Sequence, residues 1–328
     1  MTNINRYLAT FDETIKLDWD HTGVLRERRN VILEHLRARL DGPSFDPCNQ
    51  GSYDLRTGVH PLSGDYDIDV ALRFNTTIDE WPDPVALKQR VLAGLEDLGS
   101  SVRLRRPCVT VFYRRGDEQL YHVDLAVYAR DAHDRLHLAC GKPGDRQDMR
   151  IWQPSDPQAL GAFIDGRFKD QDKVQFRRVV RVLKRWKDER FSSEGEAAPR
   201  GIALTAAALK WFRVERRQDP VDRQVHYDDA AALLALVKAM REYPERRLKA
   251  KLPVAPGNDP FDRMTDRQME IFREELERLE RALTTALGSP DRDGACDALR
   301  RVFGDDFPGP EGKPTRKRSA IVASGSAA

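Results

Sequence analysis

The sequence has little cysteine and no useful grouping of it. Cys48, Cys108, Cys140 and Cys296 are scattered through 328 residues, with no CxxC pair and no Cys/His cluster. That spacing argues against a structural zinc site and fits reduced thiols in a cytosol. Long apolar runs are missing too. The longest, Ala230 to Val237, falls far short of a membrane span, so no membrane attachment is expected. The opening MTNINRYLATFDET has neither a basic nor an apolar region and does not read as a signal peptide. Charge of one sign is also missing. Lys and Arg number 55 against 53 Asp and Glu, a net charge of +2. A globally basic nucleic-acid platform is therefore excluded, though a local patch is not. The seven histidines show no metal-ligand spacing. His60 and His122 read as structural or near a site rather than as ligands.

What is present is a chain too long for one typical core, which implies two lobes. Its first half alternates helix and strand. Residues 24–40 carry Leu25, Ile32, Leu36 and Leu40 at helical spacing, and Asp41-Gly42-Pro43 stops the helix. A strand is expected over Ile68–Phe74 and a helix over Val85–Leu98. Val109–Arg115 and Leu120–Ala129 form a hairpin around Gly116-Asp117-Glu118-Gln119. In the second of these strands Tyr121, Val123, Leu125 and Val127 share one face. His122, Asp124, Ala126 and Tyr128 share the other.

From about residue 157 the pattern is helical throughout. Gln171–Glu189 has Phe176, Val179, Leu183 and Trp186 on its apolar stripe. Arg177, Arg181, Lys184 and Asp188 lie on the opposite face, where a solvated surface is the plain reading. Further helices are expected over Ile202–Val214, from Asp228-Asp229 to about Met240, and over Asp293–Phe303. Thr265-Asp266-Arg267-Gln268 is a capping box opening a long helix with Met269, Phe272, Leu276, Leu279 and Leu283 inward. Trp186 and Trp211 sit at core spacing. The divisions expected are 1–156, 157–308 and a disordered, basic, small-residue tail over 309–328.

The chemistry-bearing stretch is GSYDLRTGVHPLSGDYDID, residues 51–69. Residues two apart on a strand face the same way, so Asp67 and Asp69 present two carboxylates side by side. Asp124 lies on a nearby strand, on the face opposite Val123 and Leu125. Three carboxylates on one face destabilise each other unless they are protonated or bridged by cations. Hard oxygen ligands suit Mg²⁺ or Mn²⁺, and two such ions can clamp a phosphoryl displacement. Gly51-Ser52 offers close backbone approach, amide donors and a hydroxyl, all suited to phosphate oxygens. Asp65 is assigned to the turn. Tyr53, Tyr113 and Tyr128 are candidates for stacking on a base.

These residues resemble the nucleotidyltransferase superfamily, whose pattern is Gly-Ser, then DxD, then a third Asp on a neighbouring strand. PLSGDYDIDVALRF is most similar to the bacterial CD-NTases, the cGAS/DncV-like nucleotidyltransferases. RVLKRW (181–186) resembles a helix of the oligoadenylate synthases, and ALRRVFGDDFP resembles the family's C-terminal helix. The resemblance implies an α+β, two-lobed nucleotidyltransferase fold. A mixed β-sheet catalytic lobe would stand beside an all-helical lobe, with the active site in the cleft between them.

It also implies two Mg²⁺ or Mn²⁺ ions on Asp67, Asp69 and Asp124, and a triphosphate on Gly51 and Ser52. Lys184 would reach the β- and γ-phosphates, and Arg181 would bind nucleotide. Pro199-Arg200-Gly201 departs from the Pro-Ser of many relatives, which bears on base selection. No His/Cys insertion is present, so DNA activation is not implied. The implied activity is joining nucleoside triphosphates, ATP among them, into a cyclic di- or trinucleotide. This second messenger would serve bacterial anti-phage defence in the cytoplasm and be read by a separate effector protein. The small-residue end Gly325-Ser326-Ala327-Ala328 would suit conjugation by a ubiquitin-transfer-like partner. Three alternatives stay open: a template-independent RNA polymerase, nucleotidyl transfer to a small acceptor such as an antibiotic, and an inactive nucleotide-binding protein.

Overall fold

Seven strands build one mixed sheet: β1 (Phe45–Asn49), β2 (Tyr66–Thr77), β3 (Ser101–Leu104), β4 (Val109–Arg115), β5 (Glu118–Arg130), β6 (Leu136–Cys140) and β7 (Ile151–Pro154). The computed structural model describes residues 4–17, 19–62, 66–98, 100–115, 118–191, 198–218 and 223–316. The strand order is β1-β2-β5-β4-β3, and β6 and β7 extend from the far end of β5. β2 and β5 run parallel; the other pairings are antiparallel.

Alternation decides the faces. Ile68, Val70, Leu72 and Phe74 of β2 enter one core with Tyr121, Val123, Leu125 and Val127 of β5. Helices α2 (Trp19–Arg39) and α4 (Pro84–Ala93) cover that face with Leu25, Ile32, Leu36, Leu87 and Val91. The short strands β1, β3, β6 and β7 were not legible in the sequence, being too brief for a clear period. β1 even contains Pro47, tolerated because this strand sits at the sheet edge. Between β1 and β2 lies a single turn of helix, α3 (Gly51–Asp54).

Lys88 of α4 is fully buried. Its ammonium donates to the carbonyls of Arg105, Arg106 and Gly141 at 2.6, 2.7 and 2.7 Å. Burial pushes its pKa down to about 8, and three carbonyl acceptors satisfy the donors that burial would otherwise strand.

The helical lobe holds α5 (Ala159–Arg167), α6 (Asp170–Arg190), α7 (Gly201–Trp211), α8 (Asp229–Arg241), α9 (Asp266–Gly288) and α10 (Arg292–Phe303). A two-stranded ribbon of 216–218 and 225–227 stands apart. The expected caps are formed. Asp228 accepts from the Ala231 amide at the start of α8, and Thr265 and Gln268 close the capping box of α9. Trp186 is at the centre of this core, and Trp211 packs against its edge. All four cysteines are free. Among the described residues no helix is long and apolar enough to cross a membrane.

Two divisions differ from the sequence expectation. Helix α1 (Ile4–Ile15), grouped there with the catalytic half, shares the core of the helical lobe through Ile4, Tyr7, Leu8, Phe11 and Ile15. Phe11 lies 5.1 and 5.2 Å from the rings of Phe303 and Phe307. The sheet's apolar face is already covered by α2 and α4, so the stripe of α1 is buried elsewhere. Nor is the tail loose from residue 309. Arg316 pairs with Glu189 at 2.6 Å, the Thr315 amide donates to the Asp305 carbonyl, and Tyr7 Oη donates to the Pro310 carbonyl. Asp65, the Gly116-Asp117 turn residues and the stretch 317–328, with its Gly325–Ala328 end, lie outside the described residues.

The polar face of α6 is not solvated either. Arg177, Arg181, Lys184 and Arg185 fall on one side of the helix and all donate to the segment after α3. Arg177 reaches the carbonyl of Leu55 at 3.1 Å, Arg181 that of Arg56 at 2.7 Å, Lys184 that of Thr57 at 3.0 Å and Arg185 that of His60 at 2.6 Å. Arg181 also makes a bidentate pair with Asp12 of α1, both bonds 2.7 Å. Removing one partner of such a buried pair strands a charge and costs ~3–5 kcal/mol. Asp12→Ala should therefore lower the denaturation midpoint sharply. Asp12→Leu with Arg181→Met should recover much of that loss, as measured by chemical unfolding. If the single change leaves the midpoint untouched, the pair does not hold α1.

Candidate active site

The parallel register of β2 and β5 sets Asp67 opposite His122 and Asp69 opposite Asp124. The Asp67 and Asp124 carboxylates and a His122 ring nitrogen lie within 4.8 Å of one another. His122 Nε2 is 3.2 Å from Asp67 Oδ1, and Thr110 Oγ1 donates to Asp124 Oδ1 at 2.5 Å. Asp69 is the most strained electrostatically. Burial first, then the charges of Asp67 and Asp124, push its pKa up to about 8. A hard-oxygen set that cannot be fully ionised by itself fits a divalent cation such as Mg²⁺ or Mn²⁺. His122 stands where it would orient Asp67 from outside the ligand set.

Beside the acids a cleft of about 300 Å³ opens between the lobes. Gly51, Ser52, Thr57, Gly58, Asp67 and Asp69 line one wall. Lys184, Lys187 and Asp188 of α6, with Gly201, Ile202 and Thr205 of α7, line the other. Gly51 has a φ of +64°, and a Cβ there would overlap the Asp69 carboxylate. Only glycine lets the chain pass this close to the acids. The Thr57 amide donates to the Ser52 carbonyl at 2.9 Å, so the Gly-Ser turn is tied to the segment that α6 grips.

Lys184 is buried at the cleft, its Nζ 3.0 Å from both the carbonyl and the hydroxyl oxygen of Thr57. Burial pushes its pKa down to about 8. The backbone of Gly201 packs on its stem; a Cβ there would sit 3.4 Å from Lys184 Cε. The Pro-Arg-Gly departure thus falls in the cleft wall itself.

Of the residues singled out on sequence, the structure gathers Gly51, Ser52, Asp67, Asp69, Asp124 and Lys184 into one region. Arg181 is a correction. It does not line the cleft, because Asp12 and the Arg56 carbonyl occupy its guanidinium. The three tyrosines are otherwise engaged. Tyr53 Oη accepts from Arg26 Nε, Tyr113 stacks on Tyr121 at 4.6 Å and Tyr128 donates to Gln50 Oε1.

Sequence reasoning missed the row that continues the acids across the sheet. Asp69, Asp124, Thr110 and Arg103 are successive cross-strand partners on β2, β5, β4 and β3. The guanidiniums of Arg103 and Arg105 lie 5.4 and 5.1 Å from the centroid of Phe112. The signal was available in the alternation of Val109 and Val111 with Thr110 and Phe112. The register to β3 was not.

Two outcomes follow for the site. Gly51→Ala should abolish activity, a loss of a hundredfold or more in kcat/KM, while leaving the melting temperature within a few degrees. The folded pKa of Asp69 is raised above its unfolded value, so its contribution to stability is greatest in acid. That contribution is lost as pH rises from about 4 towards 8. Melting of metal-free protein should therefore fall across this window, and excess Mg²⁺ should raise it more at pH 8 than at pH 6. Equal Mg²⁺ shifts at the two pH values would contradict the assignment.

Residues 46–128 match the family described as cyclic GMP-AMP synthase DncV-like, nucleotidyltransferase domain. No curated protein matches the chain by sequence. Solved structures do match it along nearly its whole length. Vibrio cholerae DncV cyclic AMP-GMP synthase, in complex with the linear intermediate 5′ pppA(3′,5′)pG, aligns with a TM-score of 0.72 at 17% identity, covering 94% of this chain and 97% of that one. The Bradyrhizobium diazoefficiens CD-NTase CdnG, in complex with GTP, aligns with a TM-score of 0.70 at 18% identity over 93% and 96%. Escherichia coli DncV, in its 3′-deoxy GTP bound form, gives 0.66 at 17% over 91% and 94%. At such identities the structural likeness speaks for the fold, and the matched domain speaks for the chemistry. Residues 46–128 thus match a DncV-like nucleotidyltransferase domain, set in a two-lobed fold shared with these CD-NTases.

Proposed function

We propose that this protein is a metal-dependent cyclic oligonucleotide synthase that joins nucleoside triphosphates into a cyclic di- or trinucleotide. The observation that carries the reading is the pairing of Asp67, Asp69 and Asp124 on parallel strands beside the Gly51-Ser52 turn, in a cleft whose far wall bears Lys184. That V. cholerae DncV is a cyclic AMP-GMP synthase, solved with a linear pppA(3′,5′)pG intermediate, supports stepwise joining followed by closure.

In this reading the donor's triphosphate rests on the Gly51-Ser52 turn, and Lys184 turns from Thr57 to its β- and γ-phosphates. Asp67, Asp69 and Asp124 would hold two Mg²⁺ or Mn²⁺ ions, which supply neutralisation of the triphosphate and activation of the attacking hydroxyl. Thr110 fixes the carboxylate of Asp124 toward the acceptor's ribose hydroxyl, whose proton Asp124 can take. The hydroxyl oxygen bonds to the α-phosphorus in line, the bond to the bridging oxygen breaks, and pyrophosphate leaves. Arg103, ~10 Å from Asp124 along the same row, two strand spacings away, would receive the acceptor's own phosphates together with Arg105. The product would act as a second messenger in cytoplasmic anti-phage defence, read by a separate effector. The C-terminal end would be open to conjugation by a ubiquitin-transfer-like partner.

The test is product analysis with all four labelled NTPs and Mg²⁺ or Mn²⁺, followed by phosphatase. A phosphatase-resistant product should form and should fall at least ~10³-fold in Asp67→Ala/Asp69→Ala, the loss expected when charge stabilisation is removed from the reacting centre. Arg103→Ala/Arg105→Ala should raise KM for the acceptor nucleotide ~10-fold or more, with a smaller effect on the donor. A ladder that forms only on added RNA would replace this reading with template-independent polymerisation.

A further inference from the structure

We propose that the helical lobe carries a second ligand site, at the end of α7 away from the catalytic cleft, for a phosphorylated nucleoside. A cavity of about 450 Å³ opens there, bounded by Phe163, Arg167, Lys210, Tyr243, Lys249 and Lys251. Its size falls within the range of small-molecule sites. In a chain with a net charge of only +2, four cations surround one cavity. Glu245 brings a carboxylate to them: it pairs with Lys249 and also accepts from Tyr243 Oη at 3.0 Å. Among the described residues, neither Arg167 nor Lys251 has a carboxylate partner.

Helix ends explain part of this charge. Arg167 and Lys210 lie in the last turns of α5 and α7, where cations are favoured. Lys249 and Lys251 belong to no helix, so that account does not reach them.

Two of the lining residues, Phe163 and Tyr243, are aromatic, and Trp211 lies next to Lys210 in sequence without lining the cavity. Lys210 Nζ lies 4.5 Å from the centroid of Tyr243 and 4.8 Å from that of Trp211. It donates to the Lys249 carbonyl at 2.7 Å, so its charge is held at the cavity over the rings. Unpaired cations beside aromatic faces are the complement of phosphate joined to a flat base. Two sources offer that chemistry: a nucleoside triphosphate and a cyclic dinucleotide.

α7 joins the two sites. Gly201, Ile202 and Thr205 line the catalytic cleft, and Leu209 and Lys210 line this cavity. The nine steps from residue 201 to residue 210 span ~13 Å of one rigid helix. A ligand at one end therefore rests on the same element as a nucleotide at the other.

The site is tested by direct binding, so its outcome does not depend on the synthase reading. Non-hydrolysable ATP and GTP analogues and cyclic GMP-AMP are titrated separately, by calorimetry, into the full chain and into Arg167→Glu/Lys251→Glu. Azido-nucleotide crosslinks are mapped by mass spectrometry on the same samples, and melting confirms that the variant is folded. The wild-type chain should show a salt-sensitive site beyond the cleft, with crosslinks near Tyr243 or Trp211. The variant should lose that site at least tenfold in affinity and keep the cleft site. Occupancy by the triphosphates alone marks a substrate-sensing site; occupancy by the cyclic ligand alone marks a product site. Identical stoichiometry and affinity for every ligand in both proteins, with crosslinks confined to the cleft, would overturn the proposal.

Discussion

Four cations along one side of α6 hold the backbone after α3. Arg177, Arg181, Lys184 and Arg185 donate in turn to the carbonyls of Leu55, Arg56, Thr57 and His60. Burying such groups is costly unless every donor finds an acceptor, and a backbone segment presents acceptors at regular intervals. The contact joins a helix of one lobe to the segment that leaves the Gly51-Ser52 turn of the other. It thereby sets the width of the cleft and the height of Lys184 above the acids. Asp12 and Asp306 supply counter-charge to Arg181 and Arg185, and through them α1 and Arg316, which also faces Asp306, join the same network.

The sheet side is organised by the opposite charge. Asp67, Asp69 and Asp124 are fixed by strand register and cannot separate to relieve repulsion, and the raised pKa of Asp69 records that constraint. Cationic α6 and the acidic row therefore face a common space. A triphosphate with its cations would fit between them with alternating sign: helix ammonium, phosphate, metal, carboxylate. In the proposed reading the specificity of the site would lie less in any one charge than in this layering, which a polar ligand of uniform charge would not match.

Much of the acid site was legible because strand period translates directly into facing. Asp67 and Asp69 are two apart, and Asp124 alternates with core residues, so no tertiary information was needed to place them. The polar face of α6 was misread because a helical period shows which residues share a face but not what covers it. A stripe of arginine and lysine looks alike in water and against carbonyls, and Arg181 was assigned to nucleotide when it belongs to Asp12. The same limit explains α1, whose apolar stripe was visible but whose partner was not. It also explains the row to Arg103, which depends on the pairing of a four-residue strand. Residues 309–316 read as a tail because their order comes from Arg316 reaching Glu189, far away in sequence.

The ammonium of Lys88, caged by three carbonyls, is in effect a monovalent cation on a tether. Turns whose carbonyls converge usually recruit potassium, sodium or water to the gap. Here the ion is supplied by α4 and cannot be washed out or exchanged. The turn between β3 and β4, which carries Arg105, is thus indifferent to the salt around it. If the acid site answers to divalent ions as proposed, this neighbouring corner of the sheet carries its cation covalently and would not share that dependence.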